Sequence, residues 1–236
     1  MKKSELASES KRPILTLSSV TKYFTDYSNN RNNILVGISF DINCNESISI
    51  VGPSGSGKST LLAIMAGLDI PDHGSVTLLG KPFSSLSEND RASLRKGTIS
   101  FVFQSFQLLP NLSALENVML PIELSGEKVG VARKKAKFWL ESVGLGSRLH
   151  HRPRLLSGGE QQRCAVARAF ITEPDILFAD EPTGNLDQVT GKNLIDLLFS
   201  LTADLGKTLV VVTHDEFLAN KCSRKLLLEH GTVKEK

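Results

Sequence analysis

Short, β-branched apolar runs bounded by turn residues open the pattern. ILTLSSV at 14–20, ILVGISF at 34–40 and SISIVG at 47–52 predict strands, with the NNRNN run at 29–33 as a turn between the first two. From Lys58 to Leu68 the apolar spacing becomes helical, and PDHG at 71–74 breaks it before another strand, SVTLLG at 75–80. The middle of the chain changes character. Residues 88–97, 113–120 and 127–143 predict helices, SALE at 113–116 offering a capping box, so a separate helical lobe is expected over about 91–164. Beyond residue 160 come a helix, the strand DILFAD at 175–180, a helix at 189–204, the strand TLVVVTH at 208–214 and a hairpin, LLLEHGTV, at 226–233. Apolar strands alternating with helices imply an α/β fold whose parallel sheet is covered on both faces. Residues 1–13 are expected to form a flexible tail and 14–236 one domain.

Composition narrows the function classes. A chain of 236 residues with 40% hydrophobic positions has enough apolar surface for a substantial core, which excludes intrinsic disorder. A net charge of +3 with 22% charged residues gives no sign of a nucleic-acid partner. The longest apolar run, Leu61 to Leu68, is far short of the ~20 residues that cross a bilayer. Residues 1–12 lack the apolar stretch of a secretory signal, so the chain is expected to stay in the cytosol. Cys44, Cys164 and Cys222 lie far apart without metal-ligand spacing and read as reduced thiols. His150 and His151 sit among arginines and read as a solvated basic loop, leaving His214 as the histidine of interest. The basic run Arg133-Lys134-Lys135-Lys137 reads first as a solvated helix face, with lipid headgroups or a membrane partner as the alternative.

Candidate chemistry begins at Gly52-Pro53-Ser54-Gly55-Ser56-Gly57-Lys58-Ser59, which fits GxxxxGK[ST], follows an apolar strand and opens a helix. Its glycines let consecutive N–H groups face one concavity beside the positive end of the helix, a cradle for a triphosphate. Lys58 would reach the β and γ phosphates, Ser59 would ligate a bridging Mg²⁺, and Thr60 is available to a phosphate oxygen. Asp180-Glu181 closes a second strand. Asp180 suits Mg²⁺, and Glu181 suits orienting the attacking water and accepting its proton. Alone, such a pair is as often a solvated turn; beside the phosphate loop it reads as functional.

Leu156-Ser157-Gly158-Gly159-Glu160-Gln161-Gln162 resembles the LSGGQ signature of ATP-binding cassette proteins. Ser157 and Glu160 also form a capping-box pattern, which would merely start a helix. Two consecutive glycines cost a helix roughly 1 kcal/mol each against alanine, so a phosphate approaching their backbone is the preferred explanation. The resemblance covers nearly the whole chain from about Ile14. It implies a P-loop NTPase of RecA-like type: a parallel sheet core, an antiparallel β part and an inserted helical lobe. It also implies that Gln104, in FVFQSF, touches Mg²⁺ or the attacking water, and that Gly184-Asn185-Leu186-Asp187 lies across a dimer interface. By the same resemblance His214 contacts the γ-phosphate, and Phe24, or Tyr23 beside it, stacks on adenine.

Within the family, FVFQSFQLLPNLSALENVMLP, LSGGEQQR and FADEPTGNLD resemble the lipoprotein-release and macrolide-efflux group, YbbA-like proteins in particular. This implies a homodimer of ATP-hydrolysing subunits, using ATP and Mg²⁺ to drive a separate permease from the cytoplasmic face of the inner membrane. A mechanical or regulatory ATPase partner of a membrane protein, and a soluble non-transport ATPase of the same family, stand as alternatives.

Overall fold

The computed structural model describes residues 13–25 and 31–236. The expected tail at 1–12 and part of the expected turn at 29–33 lie outside the described residues. Strands β1 (Pro13–Thr25), β2 (Arg31–Asn43) and β3 (Ser47–Val51) lead into helix α1 (Lys58–Met65). Strands β4 (His73–Leu78) and β5 (Lys81–Pro82) follow, then α2 (Glu88–Arg95) and β6 (Ile99–Phe103). Three helices come next: α3 (Ala114–Glu123), α4 (Val129–Ser142) and α5 (Gly158–Phe170). The chain closes with β7 (Ile176–Asp180), α6 (Gln188–Asp204), β8 (Thr208–Val212), α7 (Glu216–Lys221), β9 (Arg224–Glu229) and β10 (Thr232–Glu235).

Two sheets form. The larger has the order β10-β9-β3-β8-β7-β6, parallel from β9 through β6 with β10 antiparallel at one edge. The smaller, β2-β1-β4-β5, is antiparallel throughout. Alternation along the central strands sends side chains to opposite cores. Ile48, Ile50, Ile176, Phe178, Val210 and Val212 join a core shared with α1 and the small sheet. Leu177, Ala179, Leu209 and Val211 face the core built with α3 to α7. Each fully buried Leu, Ile or Phe contributes about 1.5 to 3 kcal/mol, so the two cores together fix the sheet between its covers.

Several boundaries move for physical reasons. Arg31 to Asn33, expected in a turn, pair with Thr25, Phe24 and Tyr23. Pro13, assigned to the tail, is the first residue of β1, where a missing N–H is tolerated. Ile99–Phe103, inside the stretch expected as helical lobe, is the edge strand of the large sheet. Helices α3, α4 and α5 pack on one another, and α5 also packs on α6. Burial pushes the Cys164 and Cys222 thiols up to about 12, which keeps both protonated at neutral pH. Among the described residues no helix is long and apolar enough to cross a membrane.

The helix expected to reach Leu68 stops at Met65 because Gly67 adopts φ 65°. A Cβ there would lie 2.3 Å from Cζ of Phe83, a fully buried ring. Gly67→Ala should therefore cost about 2 to 4 kcal/mol in urea unfolding, combining left-handed strain with overpacking. A loss below about 1 kcal/mol would show that the ring yields freely.

Candidate active site

The register of the large sheet assembles the site. Ile50 on β3 and Asp180 on β7 both pair with Val212 on β8, and Asp180 also pairs with Phe103 on β6. Four chain segments thus leave the sheet from one row at its carboxyl edge, where α/β proteins place ligands. The phosphate loop follows β3, Glu181 follows β7, Thr213-His214 follows β8 and Gln104 follows β6.

In the first segment Gly55 and Gly57 hold φ 77° and 98°, a region that β-carbons disfavour. Close packing also demands glycine: a Cβ at Gly52 would come 2.2 Å from the Leu228 carbonyl, and one at Gly57 2.9 Å from Ile34 Cγ2. Helix α1 has neither a side-chain cap nor an acidic residue in its first turn, so its leading N–H groups remain open to an anion. Lys58 Nζ folds over the loop and donates to the Gly52 and Pro53 carbonyls, each at 2.9 Å. Ser56 Oγ is buried and has no hydrogen-bond partner among the described residues. Pro53, Ser54, Gly55 and Ser56 line a cavity of about 360 Å³ with Asn33, Ile34 and the turn at 229–231. Ser59 is exposed and Thr60 half-buried in the first turn of α1.

The carboxylates face this loop. Burial raises the pKa of Asp180, the neighbouring charge of Glu181 raises it further, and Lys58 opposes both. Glu181 sits at φ 45° and is held by three groups that follow β8. Thr213 Oγ1 donates to its Oε2 at 3.2 Å, His214 N approaches the same oxygen at 3.4 Å, and His214 Nδ1 lies 2.8 Å from Oε1. The ring expected on a phosphate is thus paired with a carboxylate. Gln104 Nε2 donates to Asn185 Oδ1 at 3.3 Å, and Asn185 Nδ2 donates to the Gln104 carbonyl at 2.9 Å.

Ser157 and Glu160 do form the capping box: Glu160 N donates to Ser157 Oγ at 3.3 Å, and Ser157 N to Glu160 Oε2 at 2.8 Å. The two glycines separate in role. A Cβ at Gly159 would meet Thr190 Cγ2 at 2.4 Å, so helix packing accounts for this glycine. A Cβ at Gly158 meets nothing nearer than 3.5 Å, and packing does not require glycine there. Gly158 lies against Phe106, Leu186 and the Asn185 carbonyl, in the segments after β6 and β7. The phosphate loop leaves β3, two strands from β7 and three from β6, so about 10 to 14 Å away at the usual interstrand spacing. The row brings Lys58, Asp180, Glu181, His214 and Gln104 to one edge, and Gly158 lies beside its Gln104 and Asn185 end.

At the mouth, Phe24 is 52% exposed and pairs with Asn32, next to the cavity-lining Asn33. Tyr23 already carries the Arg31 guanidinium on its ring, 4.6 Å from the centroid.

Comparison with known proteins decides the family. Residues 35–184 match the family model described as ABC transporter. This chain belongs to the ABC transporter family. It is 55% identical over 202 residues, 86% of this chain and 89% of the relative, to the ABC transporter ATP-binding protein YbbA of Escherichia coli K12. It is 47% identical over 205 residues, 87% of this chain and 86% of the relative, to the lipoprotein-releasing system ATP-binding protein LolD of Xanthomonas campestris. The ATP-binding cassette MJ0796, solved as a dimer in a post-hydrolysis state bound to ADP and Pi, superposes with a TM-score of 0.86 at 39% identity. That match covers 94% of this chain and 97% of the other. The chain is thus an ATP-binding subunit of ABC type and an ATPase by family, with the P-loop α/β fold.

Sequence reasoning missed how this ABC protein ties its parts together. Gln162 is fully buried and donates to the Phe103 and Pro182 carbonyls, joining α5 to the segments after β6 and β7. Arg148 bridges Glu160 at 3.2 Å. No local pattern marks either contact, because each depends on tertiary neighbours.

The split between the glycines is testable by unfolding. Gly159→Ala should lose about 1 to 3 kcal/mol through overpacking and regain most of it when combined with Thr190→Ser. Gly158→Ala should stay within about 1 kcal/mol of the native protein or gain stability from helix propensity. Equal losses at both positions would contradict the assignment.

Proposed function

We propose that the chain is the ATP-hydrolysing subunit of a bacterial inner-membrane ABC transporter. It works as a homodimer on the cytoplasmic face and powers a separate permease through ATP-driven closure. The observation carrying this reading is the row at the carboxyl edge of the sheet. It sets Lys58 and the uncapped end of α1 against Asp180, Glu181 and His214. The LolD relative, named for a lipoprotein-releasing system, supports the coupling to a membrane partner.

The phosphate loop is shaped for an anion. Backbone N–H groups of Ser54, Gly55, Gly57 and Lys58, the Ser56 Oγ and the Lys58 ammonium offer donors around one cavity, and phosphate oxygens would draw Lys58 away from the Gly52 and Pro53 carbonyls. Asp180 fits a cation, because a carboxylate discouraged from ionising by burial and by Glu181 gains most from a nearby positive charge. Ser59 and Asp180 would hold Mg²⁺, Gln104 completing its surroundings. When bound, Mg²⁺ neutralises charge developing on the β and γ phosphates.

Glu181 orients the attacking water and takes its proton, its carboxylate being fixed from two sides by Thr213 and His214. His214 is held at the same row, from which its other ring nitrogen can reach the γ-phosphate. Phe24, the more exposed of the two rings, offers a face for adenine, the Lys22 ammonium standing 5.9 Å from its ring centroid where Arg31 lies 4.6 Å from that of Tyr23. Ser157 and Gly158, with Gly159 setting the helix close to α6, serve the ATP held by the second copy. A two-fold contact of this kind builds two sites at once.

Glu181→Gln should keep ATP affinity within about threefold and slow hydrolysis about 10² to 10⁴-fold, since it removes a base and leaves phosphate donors intact. Phosphate release and equilibrium ATP binding measured on the same preparation check this. Turnover within twofold of wild type would remove Glu181 from the role.

A further inference from the structure

The segment after Gln104 is strained. Phe106 and Gln107 stand consecutively in the left-handed region, at φ 59° and 49°, although neither is glycine, asparagine or aspartate. Gln107 N donates to the Ser105 carbonyl at 2.5 Å, closing a three-residue turn whose central residue has positive φ, a rare and disfavoured form. Strain of this kind persists only where the surroundings over-determine it.

One side chain supplies that constraint. Arg168, on α5, is half-buried and extends its guanidinium to both carbonyls, Nη1 to Gln107 O at 2.5 Å and Nη2 to Phe106 O at 2.8 Å. Its planar fork matches two adjacent acceptors, which an ammonium cannot do with the same geometry. The turn it holds lies between two functional groups. Upstream, Gln104 exchanges hydrogen bonds with Asn185. Downstream, the Phe106 ring lies 3.8 Å from where a Cβ of Gly158 would stand. Arg168 belongs to the same helix as Gly158, so a single rigid element holds the turn and the signature glycine together.

We propose that Arg168 is a positioning residue for ATP hydrolysis: by fastening the left-handed pair Phe106-Gln107, it sets Gln104 against the loop carrying Glu181 and Asn185. This rests on the reading that Gln104 serves the hydrolytic site. Arg168 touches neither nucleotide nor water, and its loss acts through Gln104 alone. Turnover therefore falls while ground-state ATP binding, which depends on the phosphate loop, does not.

The test measures turnover and ATP dissociation constants for the full-length chain carrying Arg168→Met, Arg168→Lys, Gln104→Ala or Gln104→Ala with Arg168→Met. Arg168→Lys keeps the charge and stem without the fork, so it reads the same loss should the methionine variant fold poorly. Each Arg168 variant should slow hydrolysis about tenfold or more with the dissociation constant within about twofold, and the double variant should be no slower than Gln104→Ala alone. Adding Gln107→Asn, which eases the left-handed conformation, should recover at least about threefold in turnover. Multiplying losses in the double variant, or recovery absent with Gln107→Asn, would overturn the proposal. Slow Gln104→Ala beside Arg168 variants at wild-type rate would overturn it alone. Wild-type turnover in Gln104→Ala would remove the reading of Gln104 and this proposal together.

Discussion

Opposed charges at one edge of a sheet govern this molecule. Lys58 and the uncapped N-terminus of α1 stand across β8 from Asp180 and Glu181, and the shared pairing of Ile50 and Asp180 with Val212 fixes their separation. Two interstrand spacings put about 10 Å between the two rows, enough to insert phosphate groups and a cation without collapsing the two sets onto each other. Lys58 meanwhile rests on backbone carbonyls and Glu181 on Thr213 and His214, so these two groups are satisfied nearby. Nucleotide would exchange these partners, which keeps the cost of assembling charge low.

The two faces of the sheet divide the remaining tasks. On one side α1 and the antiparallel sheet share a core, and Ile34 of β2 reaches Gly57 closely enough to exclude a side chain there. The antiparallel sheet and the phosphate loop are thereby packed as one unit. On the other side α3, α4 and α5 carry the signature residues over the segments that follow β6 and β7. Gln162 and Arg168 anchor that helix to those segments through backbone carbonyls, so the signature and Gln104 share a support that the phosphate loop does not.

What was legible in the sequence follows from how local each feature is. The phosphate loop, the Asp180-Glu181 strand end and the helix starting at Ser157 are contiguous patterns with their own backbone logic, and the elements around them form as the periodicity indicates. Helix ends were less legible: Met65 closes α1 because Gly67 meets Phe83, sixteen residues further on in the chain. The strand Ile99–Phe103 lies within the bounds expected for the helical lobe, because a single short apolar run does not declare its partners. Of the two signature glycines, Gly159 answers to Thr190, a neighbour that no local pattern reveals, and packing does not demand glycine at Gly158. His214 pairing with Glu181, and Asn185 with Gln104, join residues 33 and 81 apart, distances that no local pattern bridges.

We propose that each site takes its phosphate loop from one chain and its signature from another, a reading supported by the placement of Gly158 beside the segments after β6 and β7. Purified mixed dimers measure this directly. Lys58→Ala disables the loop, and Gly158→Asp sets a negative charge where phosphate would approach, at a helix N-terminus that tolerates aspartate. A dimer of one Lys58→Ala chain and one Gly158→Asp chain keeps one site free of both faults and should retain ATP hydrolysis. A wild-type chain paired with a chain carrying both substitutions has a fault in each site and should be inactive. Higher hydrolysis in the second pairing than in the first would contradict the shared site.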